Sequence, residues 1–357
     1  MNLRLTILAL FCTTSLFGQD LPVTPETKDG KLIYESWCAR CHGMDGRGEV
    51  EGLVLDNPAP DFTDCDFNSR EPRKDWKAVI LEGGPARGLS MTMPAWNEAM
   101  TAEQADAVIA HLKTFCPDPS WPPGELNFRR LLLTEKAFPE DEALMIPTYT
   151  QQPGDRTGRY SFLLEQRIGP RAQWELSVPA VQRFDDPGVG GFGDIEVAGK
   201  YAFYHSVENL SIVSAGLEIT LPTAQRSDVF GGGTWNMSPF IAVGKGFDAL
   251  TLQSSFKVEF PLKTGHEPEL QYNLAVTVPL SDEKQGLFPS LELNGIHVLG
   301  EPGSSLFLTP QLYIGLVKRG HLALSIGTQI PVAGERPFQY RIVGFLLWEY
   351  VDGGIWW

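Results

Sequence analysis

Two cysteines and a histidine, Cys38, Cys41 and His42, stand together in the stretch YESWCARCHGMDGRG. Thiols three positions apart sit one helical turn apart, so they reach the two vinyl groups of a single porphyrin while the adjoining imidazole comes beneath the iron. The chemistry to which C-x-x-C-H points is covalent haem attachment, with Cys38 and Cys41 as thioethers and His42 as the proximal ligand. Zinc is the competing use of such a pair; it needs four ligands and would have to recruit Cys65 and Cys116. A second axial ligand is expected downstream in a loop, and GLSMTMPAW offers Met91 and Met93. Met93 is the better candidate, because Pro94 fixes the backbone behind it and removes a competing N–H. Met91, Met44 and His111 are the other candidates. A thioether ligand stabilises ferrous iron and raises the potential, which suits one-electron transfer.

Two helices are needed to hold such a group. KDGKLIYESWCARC has helix-forming composition, with Leu32, Ile33 and Trp37 able to face a core. In MTAEQADAVIAHLKTF, Thr101 caps a helix with Gln104 in capping-box position, and Ala105, Val108, Ile109, Leu112 and Phe115 recur at helical spacing. With C-x-x-C-H followed by M-P, residues 29–116 resemble a small single-haem c-type cytochrome of class I, over about a quarter of the chain. The resemblance implies a small all-α domain with one covalent haem c, an electron carrier rather than a catalyst of substrate chemistry.

The opening MNLRLTILALFCTTSLFGQ carries one arginine and an apolar run too short to span a bilayer, so residues 1–19 read as a secretory signal. Cys12 leaves with it, and the four remaining cysteines enter an oxidising compartment. With two committed to haem, Cys65 and Cys116 are expected to pair, a staple worth about 3–4 kcal/mol by the chain-entropy estimate. A formal charge of −15 excludes nucleic acid as a partner, since phosphate binding needs a basic surface. No later segment offers eighteen consecutive apolar residues, so any membrane span must be built of strands. Residues 117–141 form a proline-rich linker, semi-rigid between Pro117 and Pro123. Its FRRLLL patch has no assigned role beyond docking on a neighbouring surface.

From residue 142 onward the hydrophobic period becomes two. In LQYNLAVTVPL, Leu270, Tyr272, Leu274, Val276, Val278 and Leu280 share one face, opposite Gln271, Asn273, Ala275, Thr277 and Pro279. Elsewhere the polar face carries Glu175, Glu196, Lys200, Lys257, Glu259 and Gln329. A soluble sandwich alternates too, but three further features favour a membrane barrel. About twelve segments of roughly ten residues fit tilted spanning strands. They lie near 142–150, 158–167, 171–182, 192–204, 208–222, 235–245, 249–261, 267–280, 287–298, 306–317, 321–331 and 337–348. Short connections tend to alternate with long ones, although SDEKQG is longer than that rule wants. Aromatics gather at strand ends (Tyr160, Trp174, Tyr201, Phe203, Tyr340, Trp348), and the chain ends on Trp356 and Trp357. By resemblance, a terminal aromatic is the signal many outer-membrane proteins present to their insertion machinery. A G-x-G-x-x-G match at Gly188, Gly190 and Gly193 precedes a strand, so it lacks the helix N-terminus that would hold a pyrophosphate.

The segment GVGGFGDIEVAGKYAFY resembles a family of outer-membrane barrels named after the MetA pathway of phenol degradation. The order of one haem module followed by a barrel is similar to the cytochrome–porin fusions of iron-oxidising bacteria. That resemblance implies electrons taken from an extracellular donor such as Fe(II). The expectation is therefore a multi-domain protein: an all-α cytochrome domain, then an all-β antiparallel transmembrane barrel over 142–357. It would sit in the outer membrane of a Gram-negative bacterium, in contact with outer-membrane lipid. Its haem domain would face the periplasm and exchange electrons with a periplasmic redox partner. The competing expectation is a solute transporter or porin with the cytochrome as an accessory plug or sensor. A lumen of twelve strands is too narrow to hold the folded module, which would cap the mouth or hang beside it.

Overall fold

The computed structural model describes residues 23–186, 189–226, 230–263, 265–281 and 284–351. The expected signal at 1–19, Gly188, and Trp356 and Trp357 lie outside these residues. Helices make up the ordered elements as far as Leu126, and strands follow from Glu142.

Asp29 starts the first helix by accepting from the amides of Lys31 (2.9 Å) and Leu32 (3.2 Å). The helix continues through α1 (Gly30–Ile33), a π-type stretch (Tyr34–Cys38) and α2 (Ala39–His42). Two more follow, α3 (Cys65–Arg70) and α4 (Arg73–Glu82), and then α5 (Ala102–Leu112). In α5 the Thr101 hydroxyl accepts from the Gln104 amide while the Gln104 side chain accepts from the Thr101 amide. This is the reciprocal cap for which the sequence has the right residues. The first helix crosses α5 at Gly30, where a Cβ would lie 1.9 Å from the Ala107 carbonyl oxygen; only glycine permits so close a crossing. Ile33, Tyr34, Ala105, Val108 and Ile109 fill the space between, together with Trp76 and Ile80 of α4. A disulfide joins Cys65 to Cys116, with the Cα atoms 5.2 Å apart. No helix among the described residues is long and apolar enough to cross a membrane.

The strands are β1 (Glu142–Gln152), β2 (Asp155–Ile168), β3 (Ala172–Arg183), β4 (Gly190–Phe192), β5 (Ile195–Ser206), β6 (Ser211–Leu221) and β7 (Asn236–Gly246). They continue as β8 (Thr251–Pro261), β9 (Glu269–Thr277), β10 (Gly286–Val298), β11 (Ser305–Gly315), β12 (Leu322–Gly334) and β13 (Tyr340–Glu349). The three-residue β4 pairs only with β3. The other twelve pair antiparallel in sequence order, β3 with β5 across the β4 excursion, and β1 pairs with β13, which closes the barrel. Every expected segment falls on one of these twelve strands. The run expected to reach residue 280 is regular strand as far as Thr277, beyond which the Val278 and Leu280 amides still donate to the Pro289 and Leu287 carbonyls of β10.

Polarity decides what kind of barrel this is. On β9, Leu274 is exposed outside while Ala275 and Thr277 are buried inside. The same inversion recurs where Phe162, Ile241, Phe256, Leu291, Ile326 and Leu346 point outward and Glu165, Lys200, Gln253, Glu292 and Gln311 are buried inward. A soluble barrel would hide the first set and wet the second. An apolar exterior running round a closed barrel is the surface that lipid covers.

The interior is filled by the chain itself. The segment expected to be part of a linker enters the lumen after Pro123 and leaves at Asp141 directly into β1. Leu126, Phe128, Leu131, Ala137 and Phe138 are all buried there. Glu292 of β10 accepts from the amides of Leu132 (3.0 Å), Leu133 (3.2 Å) and Thr134 (2.8 Å) and from the Thr134 hydroxyl (2.6 Å). Arg130 pairs with Glu142 of β1 at 2.8 Å and with Glu165 of β2. Gln173 of β3 accepts from the Glu140 amide, Lys200 of β5 donates to the Lys136 carbonyl, and Ser214 of β6 donates to the Ala137 carbonyl. On β8 and β9, Gln253 donates to the Arg129 carbonyl and Asn273 to the Leu133 carbonyl. Gln311 of β11 accepts from the Leu132 amide. Phe128 lies flat over Gly244 of β7, where a Cβ would meet its ring at 2.7 Å, and Leu132 covers Gly327 of β12.

The helical domain sits on the mouth through which this segment enters. Lys284, in the connection between β9 and β10, pairs with Glu71 (2.6 Å) and Asp75 (3.6 Å). Arg167 of β2 pairs with Asp66, and Arg70 pairs with Asp141 at 3.3 Å. The connection SDEKQG is thus long because it reaches a partner outside the barrel.

Candidate haem-binding site

Cys38, Cys41 and His42 lie on the last turns of the first helix. The Tyr34 hydroxyl fixes where that helix ends: it is buried and donates to the Gly43 carbonyl at 2.6 Å. Both thiols are free and half-buried. The π-type stretch runs from Tyr34 to Cys38, so the backbone departs from regular helix at the residue that supplies the first thiol. His42 stacks on Phe62 with ring centroids 5.0 Å apart, and its Nδ1 is buried without a hydrogen-bond partner. Burial holds its pKa down at about 4, so at neutral pH the ring is the uncharged form that can ligate a metal.

Cys65 and Cys116 bond to one another, so they cannot complete a zinc site with Cys38 and Cys41. Among the described residues no cluster of three or more His, Cys, Asp or Glu side chains is disposed to hold a metal ion. His111 packs against Tyr34 and Phe115 at 5.2 Å and 5.1 Å between ring centroids.

Met93 is half-buried at the end of a loop that closes on itself. The Gly84 amide donates to the Met93 carbonyl at 3.0 Å, and the Met93 amide donates to the Ser90 carbonyl. Asp56, from the loop after His42, grips this second loop. It accepts from the Ser90 hydroxyl, from the Met91 amide at 2.6 Å and from the Thr92 hydroxyl at 3.1 Å. The Ser90 and Met91 hydrogen bonds pull its carboxyl down to about 2, so the grip is ionised at any ordinary pH. Sequence reasoning passed over Asp56, because an aspartate in an irregular loop carries no periodic signal.

The loop after His42 opens a cleft of about 640 Å³ lined by Gly48, Val50, Leu53, Val54 and Pro58, among others. Val54 is 92% exposed there and Met91, across the Asp56 bridge, 73% exposed. A small domain with such bare apolar side chains, two free thiols and a buried imidazole nitrogen without a partner has features that an apolar cofactor would complete. The residue types present would fit a haem: Cys38 and Cys41 could tether it, and His42, with Met93 as a second candidate, could ligate its iron.

Comparison with known proteins separates the two halves again. Residues 25–112 match the family model described as cytochrome c oxidase, cbb3-type, subunit III. No curated protein sequence matches the chain. Among solved structures the chain is similar to an outer membrane channel from Pseudomonas putida F1, at 12% identity over 62% of this chain and 99% of that one, with a TM-score of 0.46. It is also similar to the KdgM porin (11% identity, 58% and 99% of the two chains, TM-score 0.40) and to the NanC porin (8%, 57% and 97%, TM-score 0.41). The barrel assignment rests on the closed register and inverted polarity described above. The chain therefore carries a cytochrome c domain, which implies haem c, followed by a closed twelve-strand antiparallel barrel resembling those of outer-membrane porins.

Proposed function

We propose that this protein is an electron carrier fixed in the outer membrane of a Gram-negative bacterium, with one haem c bound through Cys38 and Cys41 on the periplasmic side. The observation that carries the reading is the helix end itself: two free thiols one turn apart and a neutral, unpartnered imidazole, inside a domain that matches a cytochrome family. When bound, the haem supplies one-electron cycling between Fe(III) and Fe(II). The protein's part is to hold it. Cys38 and Cys41 would tether it, His42 in its neutral form would ligate its iron, and Asp56 would hold the loop that carries Met93, the candidate second ligand. Phe62 beside His42, and the stacked pair Trp37 and Trp96, 5.1 Å apart, would supply apolar surface for it.

Two features support a periplasmic haem. Both ends of the barrel sequence, Glu142 and Glu349, lie at the end that bears the helical domain. Long connections, 183–195, 221–236 and 261–269, gather at the other end, as external loops do in outer-membrane barrels.

Cell fractionation with haem staining tests the reading. The expected result is a haem-stained, heat-modifiable band in the outer-membrane fraction, with a Soret band and reversible reduced-minus-oxidised difference spectra. A pure, folded protein without Soret absorbance would overturn it.

A further inference from the structure

We infer that the barrel is a sealed mount for the helical domain and not a conduit: its lumen is closed by the chain's own residues 124–141. This goes beyond the electron-carrier reading and does not depend on it. A closed lumen also removes the route by which a solute, or a small extracellular electron donor, would cross to the haem domain.

The argument rests on how the segment is held. A twelve-strand barrel lies between the size at which side chains alone fill the interior and the size at which water runs through it, so whether it conducts depends on what lies inside. Here the segment bonds to strands on every side of the lumen, with Glu292 on one wall and Lys200 and Ser214 on the other. It stays within six residues of the mouth next to the helical domain, the deepest contacts being at Lys200 and Glu292. Most of its charges are matched, Arg130 by Glu142 and Glu165, Lys136 by Glu140 and Glu142, and Glu135 by Lys200, while the Arg129 guanidinium lies over the Phe288 ring, 4.4 Å from its centroid. Removing one partner would strand a buried charge, and that cost holds the rest in place. Apolar contacts lie between the polar ones, with Leu126, Phe128, Ala137 and Phe138 packed against Ala202, Ile212 and Ala242 of the barrel wall.

The helical domain reinforces the closure from outside. It meets the mouth through α3, α4 and the turn between them, by Asp66, Glu71 and Asp75, whereas Val54 and Met91 in the loops that Asp56 bridges stay open to solvent with the barrel in place.

Planar-bilayer recording on the full chain is the direct test, with insertion checked by heat-modifiability. The unmodified protein is expected to insert without steady conductance steps. Regular ohmic steps from it would overturn the inference, whatever its haem content. A second chain, with Leu131, Leu132, Leu133 and Thr134 replaced by alternating Gly and Ser, loosens the segment while keeping every charge. It is expected to show at least tenfold more open time. If it inserts and remains as silent as the unmodified protein, the segment is not the seal.

Discussion

The helical domain gathers its candidate site into one helix end and one loop, whereas the barrel spreads its polar groups round a ring of strands and pairs them with residues 124–141. In the first, Cys38, Cys41 and His42 are local in sequence, and everything else serves to keep them there: the Tyr34 bond to Gly43, the Gly30 crossing and the Thr101 cap. In the second, the equivalent ordering is done by pairs far apart in sequence, such as Thr134 with Glu292. The lesson is that a cofactor site is specified by neighbours in the chain, whereas a closure is specified by neighbours in space.

The contrast predicts that the two halves fail separately. The largest effect should come from Cys38→Ser with Cys41→Ser, which removes both tethers: Soret absorbance should vanish from the purified protein while the heat-modifiable mobility of the barrel is unchanged. Parallel loss of barrel mobility would show that the halves are not independent. Next is Arg130→Ala, which leaves Glu165 without its buried partner and Glu142 with Lys136 alone, and should cost the barrel about 3–5 kcal/mol. The midpoint of its heat-modifiable transition should fall, with the haem spectrum retained. Smaller is Cys65→Ser with Cys116→Ser, expected to take about 3–4 kcal/mol from the helical domain alone. Helical circular dichroism followed against denaturant measures it. Smallest is Thr101→Ala, which breaks the reciprocal cap and should cost about 1 kcal/mol, seen as faster amide exchange in the first turn of α5.

Legibility in the sequence followed the same division. The thiols, the imidazole, Met93 and the α5 cap could be named because each rests on spacing within one short stretch. The strands could be named because alternation is also local, and their inverted polarity follows once the barrel closes. What escaped was the fate of residues 124–141. FRRLLLTEKAF has neither a period of two nor of 3.6, and its partners lie from a few to about 180 residues downstream, on strands whose polar residues look interchangeable. Glu292 alternates like any other lumen residue, and nothing in its neighbours announces four hydrogen bonds to another segment. Lys284 was hidden for the opposite reason: the length of its connection stood out, but the carboxylates it reaches, Glu71 and Asp75, belong to the other domain.

The segment inside the lumen has its two ends at one mouth, running in from Pro123 and out into Glu142. It is dipped in rather than threaded through, so drawing it back needs no strand to unzip. Fully extended, residues 124–141 would span about 60 Å. A stopper that comes free would thus become a leash, letting the helical domain travel about two of its own diameters from the membrane while the barrel stays where it is.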